Sequence, residues 1–467
     1  MNGIGLWLFN RHSKIDNRQY VAEIARAACR ENLEDTESPE RRSNMLDIKF
    51  IRENPDVVKT ALKNRKAEAD VAGLLELDHL RRAAITAGEE LKTGRNKSSK
   101  AIGALMGQKK FDEAEAAKEE VRKIGDRIAV LDEQVRDLAE KIRHIILYIP
   151  NLPSDTTPIG ASEEDNPVLR TFGEVKTFDF EPKPHWDITE ELKLVDFERG
   201  AKITGSGFPV YTGQGARLQR ALVSYMLDLH TTEHGYTEIE PPAVCNADSM
   251  TGTGQLPKFA DDMYYIAGDE LYPVPTAEVP LTNLYREEII DVNEPVKLTA
   301  YTPCFRREAG AAGRDNRGLV RLHQFGKVEM VNFVKPEQSA AQHEILIGEA
   351  EKVLQLLGLH YRVIELCTAD LGFSAAKCYD IELWAPGVER WLEVSSVSNF
   401  GDYQARRARI RCRDENGKAQ LLHTLNGSGV ALPRLVVAII ENYQNADGTV
   451  TVPEALRPYM GGLEKLG

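Results

Sequence analysis

Residues 300–332 read AYTPCFRREAGAAGRDNRGLVRLHQFGKVEMVN, and this stretch decides the fold of the chain. β-Branched and aromatic residues flank AGAAGRDNRG, whose glycines and Asn316 favour a turn, so two strands joined by a Gly- and Arg-rich loop are predicted. In the second strand a period of two places Arg321, His323, Phe325, Lys327 and Glu329 on one face, with Leu322, Val328 and Met330 on the other. The apolar face belongs to a core. Arg306 at the end of the first strand, Arg307 and Arg321 offer forked donors suited to phosphate. Phe325 adds a flat apolar surface, and Glu329 an acceptor for an amine or hydroxyl. These are the parts of a site for a nucleotide beside an amino-group substrate; from this stretch alone, a solvated sheet face explains the alternation equally well.

The chain has 467 residues, enough for two or three domains, and 42% hydrophobic residues, as a globular protein has. No apolar run approaches the ~18 residues of a membrane span. The net charge of -13 counts against nucleic acid unless a local basic patch opposes it. Six scattered cysteines without a CxxC pair argue against structural zinc and a disulfide framework, and fit a reducing cytoplasm.

Residues 1–44 show no clear period beyond Val21–Cys29 and end in the polar run ENLEDTESPERRSN, so a disordered extension is expected ahead of Met45. From Leu74 to Tyr148 the pattern is heptad. Ala114, Ala117, Val121, Ile124, Ile128, Leu131, Val135, Leu138, Ile142 and Ile145 alternate at spacings of three and four. Leu77, Leu80, Ala84, Ala87, Leu91, Gly94, Ser98, Ala101 and Leu105 form a matching first arm, and Gly103, Gly107 and Gln108 break the pattern between them. An antiparallel helical hairpin follows, each arm reaching about 50 Å. Lys92, Arg95, Lys97, Lys100, Lys109 and Lys110 lie near its tip with no acidic residue among them, which favours phosphate contact over a merely solubilising face. Pro150 and Pro153 in IPNLPSD end the arm. Beyond them strands and helices alternate without regular βαβ spacing, so an α+β fold is expected, with a mostly antiparallel sheet flanked by helices. Within it, Gly215–Pro242 reads as a long helix stopped at Gly235 and followed by a strand.

FRREAGAAGRDNRG followed by RLHQFGKVE resembles motif 2 of the class II aminoacyl-tRNA synthetases in their seryl form. HTLNGSGVALPR (423–434) resembles motif 3, VPTAEVPLTN (274–283) the serine-site strand, and Gly215–Pro242 the dimerisation motif 1. The resemblance runs from Met45 to the C-terminus. It implies a tRNA-binding domain at 45–150, a catalytic domain at 151–467, a homodimer, and ATP-dependent transfer of serine to tRNA(Ser), with tRNA(Sec) as a further candidate. The six tip cations would grip the tRNA.

Carried over residue by residue, the resemblance assigns serine to Thr276, Ala277, Glu278, Arg306, Glu329, Asn426 and Ser428. It assigns ATP to Arg306, Arg307, Glu308, Leu322, Phe325, Glu393, Val394, Ser395, Ser396 and Arg434. Mg²⁺ falls to Glu393 and Ser396, and catalysis to Arg306, Arg434 and Glu393. The glycines of TGTGQLPKF (251–259) would serve a loop closing over serine. The residues support the roles: a carboxylate can hold an ammonium group, a hydroxyl a carbonyl, and oxygen ligands beside a triphosphate suit Mg²⁺. Asp380 and Glu382 are expected to be solvated or paired with Arg406 and Arg407. Pro433 departs from the family, where glycine is usual, but proline suits a first helical turn. The rivals are a catalytically silent binding protein of the same fold, against which Arg306, Arg434, Glu278, Glu329 and Glu393 are all present, and an enzyme for another small amino acid, against which the full TAE, HQFGKVE and LNGSG set speaks.

Overall fold

The computed structural model describes residues 47–309 and 317–467; the N-terminal stretch to residue 46 and the centre of the Arg-rich loop lie outside the described residues. Two short helices, α1 (Ile48–Glu53) and α2 (Pro55–Asn64), pack on the root of a hairpin made of α3 (Val71–Gly107) and α4 (Phe111–Leu147). Asp70 caps α3 by accepting from the Gly73 amide at 2.8 Å. The reversal is made at Gln108–Lys110, where Lys109 has φ +59°. Each arm has 37 residues, about 55 Å of helix.

The seam of α4 follows the heptad reading, with Ala114, Ile128 and Ile142 buried. That of α3 departs from it. Leu80 is 47% exposed, while Asp78 turns inward at 1% and receives Arg52 at 2.9 Å and Arg82 at 3.0 Å. A carboxylate can occupy a buried seam position when two guanidiniums neutralise it, which hydrophobic periodicity does not register. The tip is less uniformly basic in its contacts than in its sequence. Lys92 pairs across the seam with Asp132 at 3.2 Å and Lys110 with Glu113 at 3.2 Å, whereas Arg95, Lys97, Lys100 and Lys109 form no ion pair among the described residues.

Eight strands form the main sheet: β1 (Val168–Phe172), β2 (Thr237–Glu238), β3 (Val296–Phe305), β4 (Gln324–Val334), β5 (Tyr361–Glu365), β6 (Lys377–Ala385), β7 (Arg390–Asn399) and β8 (His423–Ala431). Their spatial order is β1-β5-β6-β7-β8-β4-β3-β2, and every pairing is antiparallel except β2 with β3. This is the expected α+β architecture. One face packs on α6 (Gly213–Thr232), α9 (Ser339–Leu356) and α11 (Leu432–Asn442), in a core that holds Leu322, Val328 and Met330. Helix α6 buries Leu218, Leu222, Tyr225 and Leu229 there and ends before Gly235, whose φ is +73°. The second face carries a smaller core with Val331 and Phe333, under α8 (Glu278–Asn283) and α10 (Tyr403–Ala408). β4 is therefore covered on both sides. Lys327 is 6% and Glu329 0% exposed, which removes the solvated-face explanation of its polar residues.

Candidate active site

A cavity of about 730 Å³ opens where β3, β4, β7 and β8 meet α8, α11 and the segment 371–375. Arg306 and Arg434 both line it, as do Thr276, Glu278, Glu308, Leu322, Phe325, Glu393, Val394, Ser396, Asn426 and Ser428. The three quoted motifs thus converge, although 93 residues of chain separate the end of the second, Glu329, from the start of the third, His423.

At one end the groups suited to an amino acid form a single network. The strand expected here ends at Pro273; Pro275 and Thr276 bend, Glu278 begins α8, and its amide donates to Thr276 Oγ1 at 3.2 Å. Thr276 donates to Glu329 at 3.1 Å, and Asn426 Nδ2 bridges Glu278 at 3.0 Å and Glu329 at 2.9 Å. Lys327, from the same face of β4, forms an ion pair with Glu329. With Glu278 ionised, two carboxylates and one ammonium leave one negative charge, which matches the ammonium of a free amino acid. Burial first, and then repulsion from Glu329, raise the Glu278 carboxyl to about 7. Glu329 lies behind the cavity surface, and Ala277 is buried in the smaller core, so its side chain makes no part of the wall.

The other end is rich in guanidinium. Arg306 lies over the Phe325 ring, 5.2 Å from its centre, and Nε reaches the Pro275 carbonyl at 3.4 Å. Arg434, in the first turn of α11 immediately after Pro433, donates to the Glu393 carbonyl at 2.5 Å and sits 3.3 Å from its carboxylate. Glu308 pairs with Arg321 at 2.6 Å. The end of the loop is fixed from below by His185, in α5 (His185–Glu191). Its Nε2 accepts from the Leu319 amide at 3.1 Å while Nδ1 meets Glu441 at 2.8 Å. An accepting Nε2 puts the proton on Nδ1.

Three expectations change. Arg307 turns away from the cavity: its guanidinium donates to the Asp261 carbonyl at 3.0 Å. Ser395 also faces elsewhere, donating to the Ser428 carbonyl at 2.6 Å. Glu382 pairs with Arg362 at 2.6 Å, Arg406 with Asp402, and Arg407 with the Tyr403 hydroxyl, so the expected carboxylate–arginine pairs do not form. Asp380 instead lies opposite Ser396 in the β6–β7 ladder; burial first, then Glu393, hold its carboxyl well above the usual range.

A register irregularity between Ile381 and Glu382 pairs Ser395 and Glu393 with successive residues of β6, leaving Val394 as the extra residue. Glu393 and Ser396, three apart, consequently both line the cavity, where a regular strand would put them on opposite faces. Sequence reading missed Gln404, which donates to Glu278 at 2.5 Å, and the wall formed by Gly372–Ala375. Neither stands in a recognisable motif.

Residues 45–153 match the seryl-tRNA synthetase N-terminal domain, and 264–443 match the class II tRNA synthetase core domain for G, H, P, S and T. The chain is 53% identical over 425 residues to the serine–tRNA ligase of Geobacter sulfurreducens, covering 91% of this chain and all of that one. The chain belongs to the serine–tRNA ligase family. The family's enzyme from Pelotomaculum thermopropionicum is 54% identical over 424 residues, covering 91% of this chain and all of its own. The seryl-tRNA synthetase of Pyrococcus horikoshii, solved with ATP, superposes with a TM-score of 0.84 at 37% identity, over 90% of this chain and 99% of that one. Among the described residues of this serine–tRNA ligase family member, no helix is long and apolar enough to cross a membrane.

Proposed function

We propose that the cavity activates L-serine with ATP and passes the seryl group to tRNA. The observation that carries this reading is that Arg306 and Arg434 open into the same cavity as the Thr276–Glu278–Glu329–Asn426 network. Arg306 binds the α-phosphate and Arg434 the γ-phosphate, with adenine against Phe325 and near Leu322, and with Glu308 and Val394 completing the ATP wall. Glu278 holds the serine ammonium. Ser428 at the cavity surface reads its hydroxyl, with Glu329 backing the pocket through Thr276 and Asn426, which penalises alanine and glycine because buried polar groups would be left unpaired. The serine carboxylate attacks the α-phosphorus, pyrophosphate leaves, and seryl adenylate forms. A hydroxyl of the terminal tRNA ribose then attacks the acyl carbon and releases AMP. The protein contributes position and charge more than proton transfer.

The donor set fits Mg²⁺. Glu393, Ser396 and neighbouring Asp380 present oxygen only, and among the described residues no group of three or more His, Cys, Asp or Glu is placed to hold a metal alone. Glu393 and Ser396 would therefore share the ion with ATP phosphates, where it offsets phosphate charge when bound.

The domain division at 45–150 and 151–467 goes with this function, the hairpin gripping tRNA(Ser) through Arg95, Lys97, Lys100 and Lys109 in the cytoplasm. Phosphate contacts carry no sequence information, and this supports tRNA(Sec) as a second acceptor. We also propose a homodimer built on α6 and β2, supported by the short exposed β2 at the sheet edge. Amino-acid-dependent pyrophosphate exchange tests the reading. Serine should support exchange at least about 100-fold better than alanine, glycine or threonine; equal rates would refute the serine pocket.

A further inference from the structure

One wall of the cavity is held in place from outside the catalytic sheet. Residues Leu371–Ala375 form an irregular turn with no strand ladder of their own, so their position depends on what grips them. On the far side the grip comes from Arg65, at the end of α2 and 8% exposed. Its Nη1 donates to the Ala375 carbonyl at 2.9 Å. Its Nη2 donates to the Gly372 carbonyl at 2.6 Å and lies 3.2 Å from that of Leu371. No carboxylate pairs with Arg65 among the described residues, so converging carbonyl dipoles offset the cost of burying its charge.

The near side of this turn faces the cavity. Ser374 Oγ donates to the Thr253 carbonyl at 3.2 Å, and a Cβ at Gly254, where φ is +95°, would sit 2.3 Å from the Ser374 hydroxyl. Thr253 and Gly254 line the cavity, and Gln404 lies between them and the amino-acid pocket, reaching both the Thr253 carbonyl at 3.4 Å and Glu278. The chain of contacts therefore ends at the serine end of the cavity. The phosphate end, around Arg434 and Glu393, is not part of it.

We propose that Arg65 is a positioning residue for serine: from the helical N-terminal region it sets the Leu371–Ala375 wall, and through Ser374 and Thr253 it holds the pocket at the spacing that serine needs. This rests on the assignment of serine to the Glu278 end of the cavity.

The full chain carrying Arg65→Met or Arg65→Lys is compared with wild type in serine-dependent pyrophosphate exchange, alongside Glu278→Gln and thermal unfolding of each protein. Misplacement by ~1 Å can cost ~100-fold, and a partial relaxation of this wall should raise KM for serine about tenfold in Arg65→Met, with KM for ATP within about twofold. Arg65→Lys keeps the charge but not the fork and should recover part of the loss, to about threefold. If the methionine variant does not fold, the lysine variant decides alone. A folded variant with unchanged KM for serine, or with both KM values raised equally, overturns the proposal. If Glu278→Gln also leaves KM for serine unchanged, the serine-site assignment has failed instead.

Discussion

The arm and the cavity use charge in opposite ways. At the tip of the hairpin the cations are exposed or half-buried, and the pairs they form with Asp132 and Glu113 are easily screened. In the cavity, Lys327, Glu278 and Glu329 are buried, each carboxylate has named donors, and small displacements leave a charge unpaired. A surface of the first kind suits a long, flexible polyanion met in many registers. A pocket of the second kind suits a small substrate that must be told from its neighbours.

The sharpest way to break this contrast is to remove one cavity guanidinium. Arg306→Ala should lower serine-dependent pyrophosphate exchange by about 100- to 1,000-fold, while tRNA binding, followed by filter retention, is unchanged. Normal exchange would refute the phosphate role. Shortening the arm should do the reverse. Cutting both helices where Lys92 meets Asp132, and closing the gap with a glycine-rich turn, should leave exchange within about twofold and reduce aminoacylation about 100-fold, chiefly through KM for tRNA. Loss of exchange in that protein would mean that the arm supports the catalytic fold.

The smallest effect is one of pH. Glu278 is raised to about 7 in the folded protein from an ordinary value near 4.5, so the ionised form is disfavoured, and its cost to stability grows as pH rises from about 4.5 and is fully present above about 7. Serine needs that ionised form. KM for serine should therefore rise as pH falls below about 7, by up to about tenfold per unit, while KM for ATP varies less. A flat serine profile between pH 6 and 8 would show that Glu278 does not hold the ammonium.

Much of the arm was legible because its contacts are local in pattern: each α4 seam residue repeats at the helical period, and its burial follows. Leu80 was misread because the carboxylate of Asp78, between Arg52 and Arg82, can take an apolar position, and its pairing with Arg52 joins different helices. In the cavity, chemistry-bearing residues were legible where they stood in motifs, as Arg306, Glu278 and Arg434 do. Gln404 and Phe373 were not, since nothing in their neighbourhood of sequence distinguishes them from an ordinary helix residue and an ordinary turn.

The amino-acid order by itself determined the helical hairpin, the mixed strands and helices after Pro150, and the residue types suited to a nucleotide and an amino acid. Tertiary structure alone decided which of them face the same space. The extra residue at Val394 put Glu393 and Ser396 on one wall, the fold turned Arg307 and Ser395 away, and α2 delivered Arg65 to the back of the cavity wall. The physical reason is that period and propensity act over a few residues, whereas register shifts and buried polar contacts are settled by partners hundreds of residues distant.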